Sequence, residues 1–196
     1  MKKIGIIGRG FVGSAVEFGF SAQTGCSAIV KVYDKDSRLS SNSLDETVNT
    51  SDYIFVSVPT PSNQDGSINL DVLEESLESL NDINNCDNII LIRSTIVPGT
   101  TFQFTKKYPK LNLVFNPEFL TERSAKHDFI NQSRFILGGD IIHTERIASL
   151  FRWRFGDTMP IIQTDFETAE LIKYMNNCFF ATKVSFLNEM KLISDK

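Results

Sequence analysis

The sequence predicts an α/β fold: a doubly wound, mostly parallel sheet covered by helices on both faces, with one long C-terminal helix. Three observations predict it. Short runs nearly continuous in Val, Ile and Phe recur along the 196 residues, separated by longer helix-like stretches, the pattern of β-α-β units whose strands are covered on both sides. A turn of spacing Gly8-x-Gly10-x-x-Gly13 joins the first run to a helix-like stretch. From residue 164 to Lys196, neither Pro nor Gly interrupts the chain.

Taken in order, Lys3 to Ile7 reads as the first strand and Phe11 to Ser21 as the helix that follows it. Strands are expected at Ile29 to Tyr33, Tyr53 to Val58, Asn88 to Ile92, Asn112 to Phe115 and Arg134 to Leu137. Asp71 to Leu80 reads as a helix because Leu73, Leu77 and Leu80 share one stripe. Ser37 to Ser43 and Asn81 to Asn88 read as polar loops. Thr164-x-x-Glu167 has the spacing of a capping box, opening a helix of roughly 30 residues. The expected organisation is a nucleotide-binding domain over 1–163 and a connecting or dimerisation helix over 164–196.

That last helix is apolar on more than one face, through Leu171, Ile172, Met175, Cys178, Phe179, Phe180, Val184, Phe186, Leu187, Met190, Leu192 and Ile193. A helix apolar nearly all round is buried nearly all round. A partner is therefore expected, either a second copy of the chain or a second domain.

The glycine turn carries the first functional expectation. Gly8 lets the chain turn sharply, Gly10 removes a Cβ that would block phosphates, and Gly13 lets the helix lie close on its strand. The unpaired amides of the helix start then face an anion. Asp34 ends the second strand about 20 residues further on, where a carboxylate can accept from both adenosine ribose hydroxyls. A 2′-phosphate there would meet like charge, which favours NAD over NADP, although Lys35 and Arg38 lie close enough to soften the repulsion. The arrangement is that of a Rossmann-type dinucleotide site.

Composition excludes other classes. Lys and Arg number 20 against 24 Asp and Glu, a formal net charge of −4 with no basic block, which argues against a nucleic-acid surface. No apolar run approaches the ~20 residues of a membrane span, and the start breaks into glycine too early for a secretion signal, so a cytoplasmic address is expected. Cys26, Cys86 and Cys178 lack the paired spacing of a metal knuckle and read as reduced thiols, with no metal expected. His127 and His143 read as solvated polar positions.

Four further motifs narrow the reading. They are Val58-Pro59-Thr60-Pro61; Arg93-Ser94-Thr95 with Val97-Pro98-Gly99-Thr100; Asn116-Pro117-Glu118-Phe119-Leu120-Thr121-Glu122; and Ala169-Glu170-Leu171-Ile172-Lys173-Tyr174 with Asn177. All but the last sit at carboxyl ends of strands, where open α/β sheets bind ligands. Together with the glycine turn they resemble the N-terminal half of the UDP-glucose/GDP-mannose dehydrogenase family. The resemblance covers essentially the whole chain.

It implies an NAD-dependent double oxidation of a nucleotide sugar, UDP-glucose to UDP-glucuronate, passing through a thiohemiacetal and a thioester on a cysteine. It implies coenzyme contacts from Gly8, Gly10, Phe11, Val12, Gly13, Asp34, Pro59, Thr60, Thr95 and Glu122. Lys173 and Asn177, one helical turn and about 40° apart, would stabilise oxyanions. Glu122 would assist water in thioester hydrolysis, while Glu118 and Thr95 would orient water or relay a proton. Phe119 and Leu120, with Lys173 and Asn177, would contact the sugar nucleotide.

Two departures stand out. Arg123 replaces the glycine usual after the second glutamate, where it could crowd the sugar or pair with a phosphate. Family members run about twice this length, with the nucleophilic cysteine in a second nucleotide-binding domain, whereas this sequence stops at Lys196. Cys178 lies about 140° around the helix from Lys173, and Cys26 and Cys86 are far from the strand ends, so none is expected to attack an aldehyde. Two readings follow: the coenzyme-binding half of a nucleotide-sugar dehydrogenase, inactive by itself, or a stand-alone NAD-binding module. A Rossmann enzyme of the hydroxyacid or phosphogluconate type is disfavoured by the Asn-Pro-Glu-Phe-Leu box.

Overall fold

A computed structural model of the chain describes residues 1–83 and 87–196. Its centre is a seven-stranded sheet of β1 (Lys3–Ile7), β2 (Ile29–Tyr33), β3 (Tyr53–Val56), β4 (Ile89–Ile92), β5 (Asn112–Phe115), β6 (Phe135–Gly138) and β7 (Ile161–Thr164), in the order β2-β1-β3-β4-β5-β6-β7. Side-chain alternation divides the core in two. Tyr53, Phe55, Ile89 and Leu91 face one side, against Val16 and Phe20 of α1 (Phe11–Phe20), Phe129 of α5 (Ala125–Ile130) and Phe151 of α6 (Ile141–Phe155). Ile54, Val56, Ile90 and Ile92 face the other. There they meet Val48 of α2 (Leu44–Asn49), Leu73, Leu77 and Leu80 of α3 (Asp71–Ile83), Phe104 of α4 (Thr100–Lys107) and Ala169 of α7 (Phe166–Ser194). A sheet so covered must be apolar on both faces, which is why its strands read as continuous apolar runs.

All neighbouring strands pair in parallel except β5 and β6, which meet antiparallel at Phe115 and Gly138. The sheet is thus doubly wound and mostly parallel, as the sequence predicts. Its order reverses at β1, with β2 on one side and β3 on the other. A crevice opens at the carboxyl ends of strands at such a switch point.

Several boundaries shift. β3 stops at Val56 rather than Val58, β6 runs Phe135–Gly138, and α3 continues to Ile83 through what reads as a polar loop. Helices α2, α4, α5 and α6 and the edge strand β7 have no counterpart among the individually drawn elements, being short or, in α6, of weak apolar periodicity. Thr164 is the last residue of β7, and the cap of α7 is Asp165, whose carboxylate accepts from the Thr168 amide at 2.7 Å and the Thr168 hydroxyl at 2.8 Å. Asp165 is the stronger cap because it reaches two donors of the first turn.

Only the start of α7 is docked: Ala169, Glu170 and Lys173 are buried, and every residue from Asn177 onward is exposed. Glu170 is the tether. Fully buried, it accepts from the amides of Gly99 at 2.6 Å and Thr101 at 2.8 Å and from the Thr101 hydroxyl at 2.5 Å. These are the unpaired donors of the α4 N-terminus, where a carboxylate is favoured. No helix of the described residues is long and apolar enough to cross a membrane.

Burial holds the Glu170 carboxyl above the usual carboxylate range, against the pull of the Thr101 and Gly99 donors. A carboxyl raised on folding contributes stability that is complete at acid pH and declines as pH rises through the raised value. Glu170→Gln, which turns an amide donor toward backbone donors, should lower unfolding free energy by about 1–3 kcal/mol in urea denaturation. The gap to wild type should be widest at the acid end and narrow with rising pH; a gap that widens would contradict the burial assignment.

Candidate active site

The chain leaves β1 through Gly8 at φ 87°, a left-handed conformation that suits glycine, and a Cβ there would lie 2.6 Å from the Ser57 carbonyl oxygen. Gly13 lies so close to the turn that a Cβ would stand 1.8 Å from the Gly8 carbonyl oxygen. Gly10, the N-cap of α1, offers no side chain to the first-turn amides, and a Cβ there would meet nothing within 4 Å. Open space in front of uncapped amides fits a pyrophosphate.

This turn forms one wall of a cleft of about 400 Å³ lined by Gly8, Gly10, Phe11, Val12, Asp34 and Leu39, then Ser57 to Thr60, then Arg93, Ser94, Thr95 and Glu118. Asp34 is oriented by accepting from the Arg9 amide at 2.6 Å and the Asp36 amide at 2.8 Å. Each carboxylate oxygen keeps a lone pair for a ribose hydroxyl. The nearby cations are engaged: Lys35 with Glu75 at 3.1 Å, Arg38 with Asp36 at 2.7 Å and Arg9 with Glu17 at 2.7 Å. A 2′-phosphate would therefore meet Asp34 with these three cations already engaged, which fits NAD better than NADP. An adjoining recess of about 350 Å³ shares Gly8, Asp34, Val58 and Pro59 and is walled by Ile7, Tyr33, Leu44 and Val72.

The opposite end of the cleft is held by polar contacts between strand ends. Thr60 donates to the Thr95 carbonyl at 2.7 Å and Ser94 to the Val58 carbonyl at 2.6 Å. Lys173 of α7, 4% exposed, donates to Glu118, 7% exposed, at the carboxylate Oε1 (2.7 Å) and the backbone carbonyl (2.5 Å). The other carboxylate oxygen of Glu118 accepts from the Leu120 amide at 2.7 Å. A lysine amine with a third N–H to give, buried in a water-poor wall, can bind a developing oxyanion.

The model of the UDP-glucose/GDP-mannose dehydrogenase family, NAD binding domain, matches residues 24–153, and that of the family's central domain matches 167–196. The chain belongs to this family. Its domain over the sheet is an NAD-binding domain, although the glycine turn lies ahead of the matched span. UDP-glucose 6-dehydrogenase TuaD of Bacillus subtilis is 29% identical over 230 residues, covering 100% of this chain and 50% of the relative. UDP-glucose 6-dehydrogenase AglM of Haloferax volcanii is 31% identical over 185 residues, covering 86% and 43%. The UDP-glucose dehydrogenase structure from Pyrobaculum islandicum superposes with a TM-score of 0.82 at 26% identity, covering 97% of this chain and 52% of that one. The chain thus spans about half the length of these relatives.

Against the family expectation, the cleft brings together Gly8, Gly10, Phe11, Val12, Asp34, Pro59, Thr60, Thr95 and Glu118, with Gly13 buried behind the turn. Lys173 joins them through Glu118 and is not a surface lysine. Glu122 is set apart, exposed on a 3-10 turn with Arg123 in a groove lined also by Ser14, Lys126 and His127, which touches the cleft through Phe11. Phe119 faces another groove with Asn176, Phe180 and Arg134, whose guanidinium lies 5.6 Å from its ring. Leu120 packs against the core, and Asn177 is exposed one turn beyond Lys173. His127 is exposed, but His143 is half-buried with its Nδ1 enclosed and unpartnered among the described residues, so only the first is a freely solvated histidine. Arg93, Asn116 and Glu170 belong to the same motifs without a role assigned from sequence; the available signal was a charge at Arg93 and Glu170 and an amide at Asn116 within those motifs.

The two glycines should separate folding from binding. Gly13→Ala should cost about 3 kcal/mol or more, because the clash is with backbone. Gly10→Ala should stay within about 1 kcal/mol of wild type yet weaken NADH about tenfold or more. Thermal melts and calorimetric titration decide the matter, and undiminished NADH affinity in Gly10→Ala would place the pyrophosphate elsewhere.

Proposed function

We propose that the chain is the coenzyme-binding half of a UDP-glucose 6-dehydrogenase, converting UDP-glucose to UDP-glucuronate by two successive oxidations at C6. The buried Lys173–Glu118 pair at the end of the coenzyme cleft carries this reading, because NAD binding by itself requires neither residue. NAD, which the glycine turn and Asp34 would hold, would supply the hydride acceptor for C6. Lys173, with Asn177 one turn further along α7, holds the alkoxide and later tetrahedral oxyanions. Glu118 and Thr95 orient water or relay the proton, Glu122 assists water in the final hydrolysis, and Phe119 and Leu120 border the sugar nucleotide.

The covalent step needs a thiol. Cys26 is buried and Cys178 is exposed on α7, and neither lines the cleft; Cys86 lies outside the described residues. In this reading the nucleophile comes from a further domain, beyond the connecting helix of 164–196. The apolar face of that helix supports a homodimer or docking to the cysteine-bearing half, and the working compartment is the cytoplasm.

Two outcomes test the proposal. The 196-residue chain should bind NAD and NADH in calorimetry and release no UDP-glucuronate from UDP-glucose and NAD; steady turnover by the pure chain would overturn the division of labour. Sedimentation at tens of micromolar should show self-association, and Phe179→Glu with Phe186→Glu should return it to a monomer. A monomeric wild type would remove the helix-mediated dimer.

A further inference from the structure

Arg93 carries a charge that the reaction scheme above does not use. It directly follows β4, is 2% exposed, and its guanidinium lies 5.6 Å from the Phe129 ring and 6.0 Å from the Phe55 ring. One nitrogen donates to Asn116 Oδ1, and Asn116 in turn donates to the Ile136 carbonyl at 2.8 Å. Its Nε and Nη2 are enclosed and have no partner among the described residues. Burial lowers its pKa to about 10, against the supporting charge of Glu118, so it stays protonated at neutral pH. Leaving such donors unpaired is costly, and the residue that carries them is one of those lining the cleft.

The sheet order fixes which part of a dinucleotide meets this charge. Asp34 follows β2, the glycine turn follows β1, and Arg93 follows β4. From β2 to β4 is three strand spacings, about 14 Å. A coenzyme with its adenosine ribose on Asp34 and its pyrophosphate on the turn therefore carries its nicotinamide toward β4. The buried groups there are Arg93, Lys173 and Glu118, two cations and one anion. Their sum is one positive charge in a wall that water does not screen.

The geometry points to Arg93 as the residue that sets the redox-state preference of the cleft, favouring the reduced coenzyme over the oxidised one. This rests on the reading that NAD lies in this cleft. The oxidised ring is a cation and the reduced ring is neutral. In the oxidation, the C6–H bond breaks, its hydride with two electrons forms the new C–H bond at the ring, and the hydroxyl proton leaves to a base. The ring charge next to Arg93 is cancelled in that step, so the repulsion it relieves draws the equilibrium toward hydride transfer.

Calorimetric or fluorescence titration of the chain with NAD, NADH and ADP-ribose tests this without turnover. Wild type should bind NADH about fivefold or more tighter than NAD, and the gap should persist in molar salt because the charge is buried. Arg93→Gln should bring the two affinities within about twofold, while Arg93→Lys keeps them apart. ADP-ribose, which lacks the ring, should bind wild type and both variants alike. No gap in wild type, a gap erased by salt, or an undiminished gap in Arg93→Gln with ADP-ribose binding intact would overturn the assignment. If Arg93→Gln loses ADP-ribose as well, the Arg93→Lys gap and its salt response decide. Wild type that fails to bind ADP-ribose would instead overturn the placement of the coenzyme, and the inference with it.

Discussion

Two opposite charges, carried inward within a single turn of α7, fix how the last helix meets the sheet. Glu170 and Lys173 are both buried, and a buried charge without a partner costs far more than a contact returns. Glu170 is satisfied at the start of α4 and Lys173 at the Glu118 loop. Residues three apart share a helix face, so one rotation and one height of the helix serve both. The interaction thus specifies register, a use for which buried ionic groups are suited, more than it adds bulk stability.

The same loop depends on a second polar chain. β5 and β6 meet at a single antiparallel position, where the sheet changes direction. Just past it, Asn116 bridges Arg93, next after β4, and the backbone of β6, doing with a side chain what a longer ladder would otherwise do. Glu118 follows two residues later and is aimed by two donors, the Lys173 amine and the Leu120 amide, with the charge of Arg93 nearby. The end wall of the cleft and the sheet geometry are therefore held by the same set of bonds in this region.

Much of this is legible in the amino acids because local rules and global fold agree. β1, β2 and β5 coincide with their apolar runs, and the glycine spacing reads as a turn since each position answers a separate steric demand. Legibility fails where the cause is distant in sequence. Nothing near Arg93 says that it will be enclosed by Phe55 and Phe129, and nothing near Glu170 says that its donors lie about 70 residues earlier, at Gly99 and Thr101. Glu122 likewise lies in a groove that meets the cleft of Glu118 only at Phe11, although just three residues part the two glutamates, and of these Phe119 and Leu120 pack to opposite faces of the core.

The undocked length of α7 gives the molecule two stability scales. Over its first turns the helix melts with the sheet, sharing one cooperative core. From Asn177 to Ser194 it has no tertiary burial to hold it, and a peptide of that length in water is only marginally helical. Its order then follows mass action: whatever covers it supplies the ordering free energy, in proportion to the logarithm of concentration. Under the proposed self-association, a dilute solution of this chain is a folded body with a fraying arm, and a concentrated one is a different thermodynamic object.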